Sequence, residues 1–519
     1  MRAPLAPLCV LVLASSLAVS CDSVPRRTSA DASAPWPDAA AVAADGPGAA
    51  DGGRLAPPPI ARTKTEAELA PARKACRFSA GAWPAETIGT DYPLGDDIPI
   101  KHVIVVMQEN RSFDNYLGRL VAQGYYRGAD FTAGGDGLSR HDAVDVPPAG
   151  WSNPDGQGGN VVPHFDDGYC YGVNHGWNDM HDMYDGGRLD RFVTNNNPNG
   201  QRSFYYEDDT VIPFYYALAD RFAIGDRYFA SVMTSTWPNR LYLLSATSFG
   251  LGDNSLVTAD TEEHPAPQVL ALLEAAGRTW KDYTDQSLHQ VMFFPYFGFR
   301  GASFNRYGDT RCDIFRDIET GQLPDVAFMM GDELTGSSDE GPSALPGIGG
   351  LLVERIVRAL WATAAWKDTV VFITYDENGG MADHVRPEAA CPPDTLPPRT
   401  GDGRPLEGAF DTTGFRVPFL VVSPYARPHF VSHEVYDHAS ITRFIEARFG
   451  LPALTARDAN ATPPMDLFDF SHAAFATPPD IAKHTTVDPA ILMRCRQSLA
   501  PVGCAMPRTS RDPARRGGT

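Results

Sequence analysis

Apolar and polar positions alternate along this chain in blocks that predict a layered α/β fold. Val103 to Met107 is a short unbroken apolar run rich in β-branched residues, and it ends on Gln108, Glu109 and Asn110. Such a run predicts a strand buried on both faces, as in a parallel sheet. Three later runs repeat the pattern. One lies within Leu323 to Glu333. A second, Thr369 to Tyr375, ends on Asp376 and Glu377. The third lies between Phe415 and Tyr425. Between them are helical patterns. Leu241, Leu244 and Ala246 give one apolar side after Pro238, and Ile441, Phe444, Ile445 and Phe449 give another, closed by Gly450. Alternating buried strands and amphipathic helices predict a three-layer α/β/α sandwich.

The N-terminal segment lacks that pattern. Residues 1–20 carry one early charge, Arg2, and then an apolar stretch, which predicts a secretory signal peptide. The stretch ends Leu17-Ala-Val-Ser-Cys21, similar to a bacterial lipoprotein cleavage box, so Cys21 is the expected lipidated residue. Ordinary signal cleavage, with a soluble exported product, is the alternative. Residues 21–75 are rich in Ala, Pro, Gly and Asp and predict a flexible tether. Residues 76–505 are then the catalytic domain and 506–519 a basic disordered tail. No second apolar stretch is long enough to span a bilayer.

Composition narrows the partners. Lys and Arg total 44 against 64 Asp and Glu, a formal net charge of -20. That balance repels polyanions and argues against nucleic acid as the main ligand. Of the eight cysteines, six remain beyond Cys9 and Cys21, an even number that suits disulfides in an exported chain. Cys495 and Cys504 are the expected pair. No C-x-x-C spacing supports zinc. The aromatic stretch Val291 to Phe299 is expected in the core.

Chemistry concentrates at the strand ends. Ligands of open α/β sheets sit beyond the carboxyl ends of strands. The oxygens of Glu109 and Asn110 suit a hard divalent cation, or Asn110 could donate to a phosphate oxygen. Adjacent Asp376 and Glu377 repel each other unless a cation neutralises them, so they point the same way. Ser231 to Ser248 places Thr234, Ser235 and Thr236 just before Trp237-Pro238, where a helix should begin. A hydroxyl there could attack a phosphoryl group held on free N–H groups and the helix dipole. Residue chemistry alone leaves the three hydroxyls open.

Several blocks resemble the bacterial phosphoesterase family of phospholipases C and acid phosphatases. They are Val-Met-Gln-Glu-Asn-Arg-Ser-Phe-Asp-Asn-Tyr-Leu-Gly118, the His175 to Phe192 segment, Ser-Thr-Trp-Pro-Asn-Arg-Leu-Tyr242 and Tyr-Asp-Glu-Asn-Gly-Gly-Met-Ala-Asp-His-Val385. The resemblance runs from about Ile98 to Pro452. It implies an alkaline-phosphatase-like fold and a phosphoric ester hydrolase. It also implies a divalent metal on Glu109, Asn110, Asp376 and Glu377, and Thr236 as nucleophile through a phospho-threonine. His384, His175 or His181 would protonate the leaving oxygen, with Asp383 and His384 at or beside the metal site. Asn239 and Arg240 come with the motif without an assigned contact. Asp437 and His438 read as helix-start scaffolding. One block departs: Ser338-Asp-Glu-Gly-Pro342 stands where the family often has His-Pro, which leaves Asp339 and Glu340 without a role. The expected substrate is a phospholipid or a small phosphate ester. A phosphomonoesterase is the alternative. A ligand-binding lipoprotein without catalysis is a second, opposed by retention of Thr236 and all four ligands.

Overall fold

A computed structural model describes residues 54–125, 144–166, 172–255, 268–283, 307–308, 313–331, 339–341, 345 and 347–487. Its centre is an eight-stranded sheet. In chain order the strands are β1 (His102–Gln108), β2 (Ala223–Gly225), β3 (Trp280–Tyr283), β4 (Tyr307–Gly308), β5 (Val326–Met329), β6 (Thr369–Tyr375), β7 (Phe419–Val422) and β8 (Phe430–Ser432). Their spatial order is β8-β2-β7-β6-β1-β5-β3-β4, and β7 alone runs against its neighbours.

The helices used below are α1 (Glu66–Lys74), α2 (Phe113–Tyr116), α3 (Trp177–Tyr184), α4 (Pro213–Arg221), α5 (Thr236–Ser245), α6 (Ile348–Trp361) and α7 (His438–Phe449). They cover both sheet faces, as the side chains of β6 show. Phe372 meets Phe444 of α7 edge-on at 5.1 Å, while Tyr375, three residues on and so on the other face, meets Tyr116 at 5.4 Å. Tyr375 and Tyr215 of α4 both donate to Glu340. The sandwich expected from the apolar pattern is therefore present. Every residue of β6 is buried, as its β-branched run requires.

Pairing of β1 with β6 positions the site. The two run parallel in register from His102 opposite Thr369 to Gln108 opposite Tyr375. Both strands stop at the same level, so Glu109-Asn110 emerge beside Asp376-Glu377.

The expected tether ends earlier than residue 75. Leu55 N–H donates to Ala275 O, and α1 buries Leu69 and Arg73. Thr65-x-x-Glu68 is a capping box: the Glu68 carboxylate accepts the Thr65 N–H at 2.7 Å. A disulfide from Cys76 to Cys391 ties this segment to the core. An Ala- and Pro-rich composition concealed a short amphipathic helix whose stability comes from tertiary packing. Cys21, the Cys495–Cys504 pair, the 291–299 aromatics and the C-terminal tail lie outside the described residues. No helix among the described residues is long and apolar enough to cross a membrane.

Candidate active site

The N-terminus of α5 faces the ends of β1 and β6. Ser235 occupies the cap and Thr236 the first helical position, with Pro238 two residues further. Asn239 locks the preceding loop: its side chain accepts from Val232 N at 3.0 Å and donates to Thr234 O at 2.9 Å. Thr234 is engaged elsewhere, donating to Gly252 O at 2.7 Å. Thr236 Oγ1 donates to Glu109 Oε2 at 3.4 Å. One of the helix N–H groups expected to hold phosphate is already used, since Trp237 N donates to Asn254 Oδ1 at 2.9 Å.

The strand-end residues form one acidic cluster. Asn110 takes a left-handed backbone, φ 61°, and its N–H donates to Asp376 Oδ1 at 3.1 Å. Asp376 N in turn donates to Gln108 O at 3.1 Å. Two glycines then let other segments approach. Gly379 and Gly380 have φ of 62° and 70°, and a Cβ on them would lie 2.7 Å from Asn110 O and 2.3 Å from Asn174 O respectively. The second approach brings in His175, whose Nε2 lies 3.9 Å from Glu377 Oε1. His175 Nδ1 pairs with Val173 O at 2.6 Å, which leaves Nε2 turned toward the cluster.

Asp339, set aside in the sequence reading, belongs here. Its Oδ1 accepts Glu109 N–H at 3.1 Å and its Oδ2 accepts Gly341 N–H at 2.7 Å. Glu340 points the other way, into the Tyr215–Tyr375 pair on the far face of the sheet. Arg240 also has a definite place: Nη2 lies 2.8 Å from Glu109 Oε1, and Nε lies 3.6 Å from Asp376 Oδ2. It stands four residues after Thr236, hence on the same side of α5. That spacing was the available signal for it.

Burial makes this cluster costly to ionise. It pushes the Asp339 carboxyl up to about 7, with Glu109 adding to the effect. Burial first and Glu109 second also raise Asp376 well above the usual range. Glu377 is raised mainly by burial, against the Gly379 N–H that its carboxylate accepts. Three buried oxygens in the cluster, Asn110 Oδ1, Asp376 Oδ2 and Glu377 Oε1, have no donor within hydrogen-bond distance; the last two have only the longer ion-pair contacts to Arg240 and His175. Buried polar atoms are normally satisfied. Hard oxygens left without donors, on groups that cannot easily share a medium of low polarity, fit a divalent cation.

A second charged group lies further along the same loop. His384 Nδ1 is 2.7 Å from Asp114 Oδ2 and its Nε2 is 3.0 Å from Asp145 Oδ1. Arg416, fully buried, bridges Asp114 Oδ1 at 2.8 Å and Asp383 Oδ1 at 2.9 Å. Burial alone would lower the His384 pKa, but the bonds to Asp114 and Asp145 outweigh it and raise it to about 10. Asp114, Asp383 and His384 each offer a ligand atom within 4.8 Å of the others. They suit a metal less well than the strand-end cluster, because an imidazolium and a guanidinium already neutralise the acids. His384 thus stands among Asp114 and Asp145, bonded through both nitrogens. His181 is elsewhere again: it stacks on Trp177 at 4.5 Å, bonds Trp177 O through Nδ1, and burial lowers its pKa. Asp437 caps α7, and His438 links Tyr228 to Asp376 O, which matches their expected scaffolding place.

The phosphoesterase family pattern matches residues 100–452. The chain belongs to the phosphoesterase family. Its catalytic class follows: it is a hydrolase of phosphoric esters. A non-hemolytic phospholipase C of Burkholderia pseudomallei is 31% identical over 416 residues, covering 70% of this chain and 57% of that protein. Phospholipase C A of Mycobacterium tuberculosis is 31% identical over 453 residues, covering 77% of this chain and 84% of that protein. A solved structure of an alkaline phosphatase superfamily protein from Vibrio parahaemolyticus is 13% identical, with a TM-score of 0.32 over 60% of this chain and 72% of that one. A likeness of that size does not bear on the chemistry.

Proposed function

We propose that this phosphoesterase cleaves a phospholipid in the manner of a phospholipase C, with a divalent cation and a phospho-threonine intermediate. One observation carries the reading: Thr236 Oγ1 faces Glu109 beside three buried oxygens that lack donors. Glu109, Asn110, Asp376 and Glu377 would hold the cation, which supplies charge neutralisation for the phosphoryl oxygens and a lowered pKa at the attacking hydroxyl. Thr236 Oγ1 gives up its proton toward Glu109 Oε2, which already accepts it, and bonds to phosphorus as the bond to the leaving alcohol breaks. A histidine gives the leaving oxygen its proton. His175 is the best placed of the three, since its Nε2 faces the cluster. Water then cleaves the phospho-threonine and returns the hydroxyl.

A largely apolar cleft on the Asp114 side, lined by none of the strand-end residues, offers a place for lipid chains beside the site rather than within it. It has a volume of about 270 Å³ and is walled by Trp151, Val162, Pro163, Phe204 and Tyr206, with Asp114 in its side. Val162, on the wall of the cleft, is 58% exposed and Phe165 is 42% exposed, so a lipid surface has two apolar side chains to meet there. Lipid on Cys21 would hold the enzyme at such a surface, and Cys21→Ala should shift it from the membrane fraction to the soluble one. The deciding assay offers the purified protein phosphatidylcholine vesicles and an aryl phosphate side by side. Faster release of phosphocholine is the expected result; activity on the aryl phosphate alone would favour the monoesterase.

A further inference from the structure

We propose that Arg240 is a positioning residue that stands in for the cation, keeping Glu109 and Asp376 assembled when no metal is bound. The inference rests on the metal reading above. Arg240 is fully buried, yet a guanidinium keeps its charge at any working pH. Its fork reaches two of the four candidate ligands, Glu109 Oε1 at 2.8 Å and Asp376 Oδ2 at 3.6 Å, and a third branch reaches Met107 O at 3.4 Å. Met107 is the last-but-one residue of β1, so the fork spans the ends of both central strands.

The division of Glu109 between two partners gives this contact a role in geometry. One carboxylate oxygen lies against Arg240 and the other accepts the Thr236 hydroxyl. Thr236 and Arg240 sit one turn apart on α5, so the same helix delivers the nucleophile and fixes the group it faces. Without any cation, Glu109, Asp376 and Glu377 would be buried together and must either repel one another or take up protons, and a buried charge that loses its partner is strongly destabilising. A divalent metal brings its own charge to the same oxygens. Arg240 therefore matters most when the metal is away.

The test is a thermal melt of wild type, Arg240→Gln and Arg240→Lys, each in excess chelator and in excess magnesium, calcium or manganese chloride. In chelator, Arg240→Gln should melt well below wild type. Metal should close much of that gap, raising the variant by at least about 2 °C more than it raises wild type. Arg240→Lys keeps the charge but cannot fork across both strands, and should fall between. A gap of equal size with and without metal would show a merely structural arginine and overturn the proposal. Should Arg240→Gln fail to fold, the same comparison is made with Arg240→Lys. A wild-type protein that melts alike in chelator and in every metal would refute the metal reading itself, and the proposal with it. A wild-type shift with an unchanged gap would refute only the role of Arg240.

Discussion

Two buried charged clusters lie a few residues apart in this protein, and they are balanced differently. Around His384, the carboxylates of Asp114, Asp145 and Asp383 meet two cations, the imidazolium and Arg416, in direct bonds. At the strand ends, Glu109, Asp339, Asp376 and Glu377 surround Arg240, and some of their oxygens have no donor. The first has three carboxylates for two cations and the second four for one. The first is a closed network that a protein builds to hold loops together. The second is left short of positive charge, which is how a fold prepares for a ligand that brings it. Satisfaction of the charges, rather than their number, separates structure from site.

The sharpest way to break this comparison is at Thr236. Thr236→Ala should lose at least about three orders of magnitude in turnover, roughly 4 kcal/mol of transition-state stabilisation. Thr236→Ser should keep part of the activity because the attacking oxygen survives, and Ser235→Ala should cost far less. Acid-quenched enzyme should carry phosphate on the peptide containing Thr236; label on Ser235 or Thr234 would overturn the assignment. Next in size is the cation. Extended dialysis against a strong chelator should abolish about 99% or more of the turnover, and metal add-back should restore it. Unchanged turnover in verified metal-free protein would place the strand-end cluster in the same class as the other.

The His384 network should respond in stability, and without metal dependence. Arg416→Gln leaves Asp114 and Asp383 buried without their guanidinium and should cost about 3–5 kcal/mol in urea unfolding, the same in chelator and in metal. A metal-sensitive loss would mean that this cluster also binds a cation. The smallest effect is at His384. Its folded pKa of about 10 lies above the ordinary histidine value of about 6.5. The folded state therefore binds the proton more tightly, and the resulting stability is fully present below pH 6.5 and is lost as pH rises toward 10. His384→Gln should thus cost about 1–3 kcal/mol near pH 6.5 and progressively less as pH rises toward 10. Of the groups facing it, Asp114, Asp145, Asp383 and Arg416, burial raises the Asp383 carboxyl to about 6, so it gains a proton just below that interval. A pH-independent difference would mean that His384 is neutral.

Much of the site was legible from residue order alone. Strand period and chain composition are local properties, and β1 and β6 announce both their burial and their acidic ends. The hydroxyl-Trp-Pro string marks the start of α5 because capping and proline geometry are local too. Family blocks in the right order indicated the class, a hydrolase of phosphoric esters. Tertiary structure decided the rest. Register between β1 and β6 brings four residues together across some 260 positions of chain, and only pairing could set it. The three candidate histidines have equal standing in a sequence; packing sends His175 to the cluster, His181 against Trp177 and His384 to Asp114 and Asp145. Asp339 looked misplaced because its motif was altered, yet a backbone N–H of Glu109 holds it in the site. Arg240 and the docked segment after residue 54 share the same reason. Their positions rest on long-range contacts whose energy depends on what is buried beside them, and no local pattern encodes a neighbour that lies far along the chain.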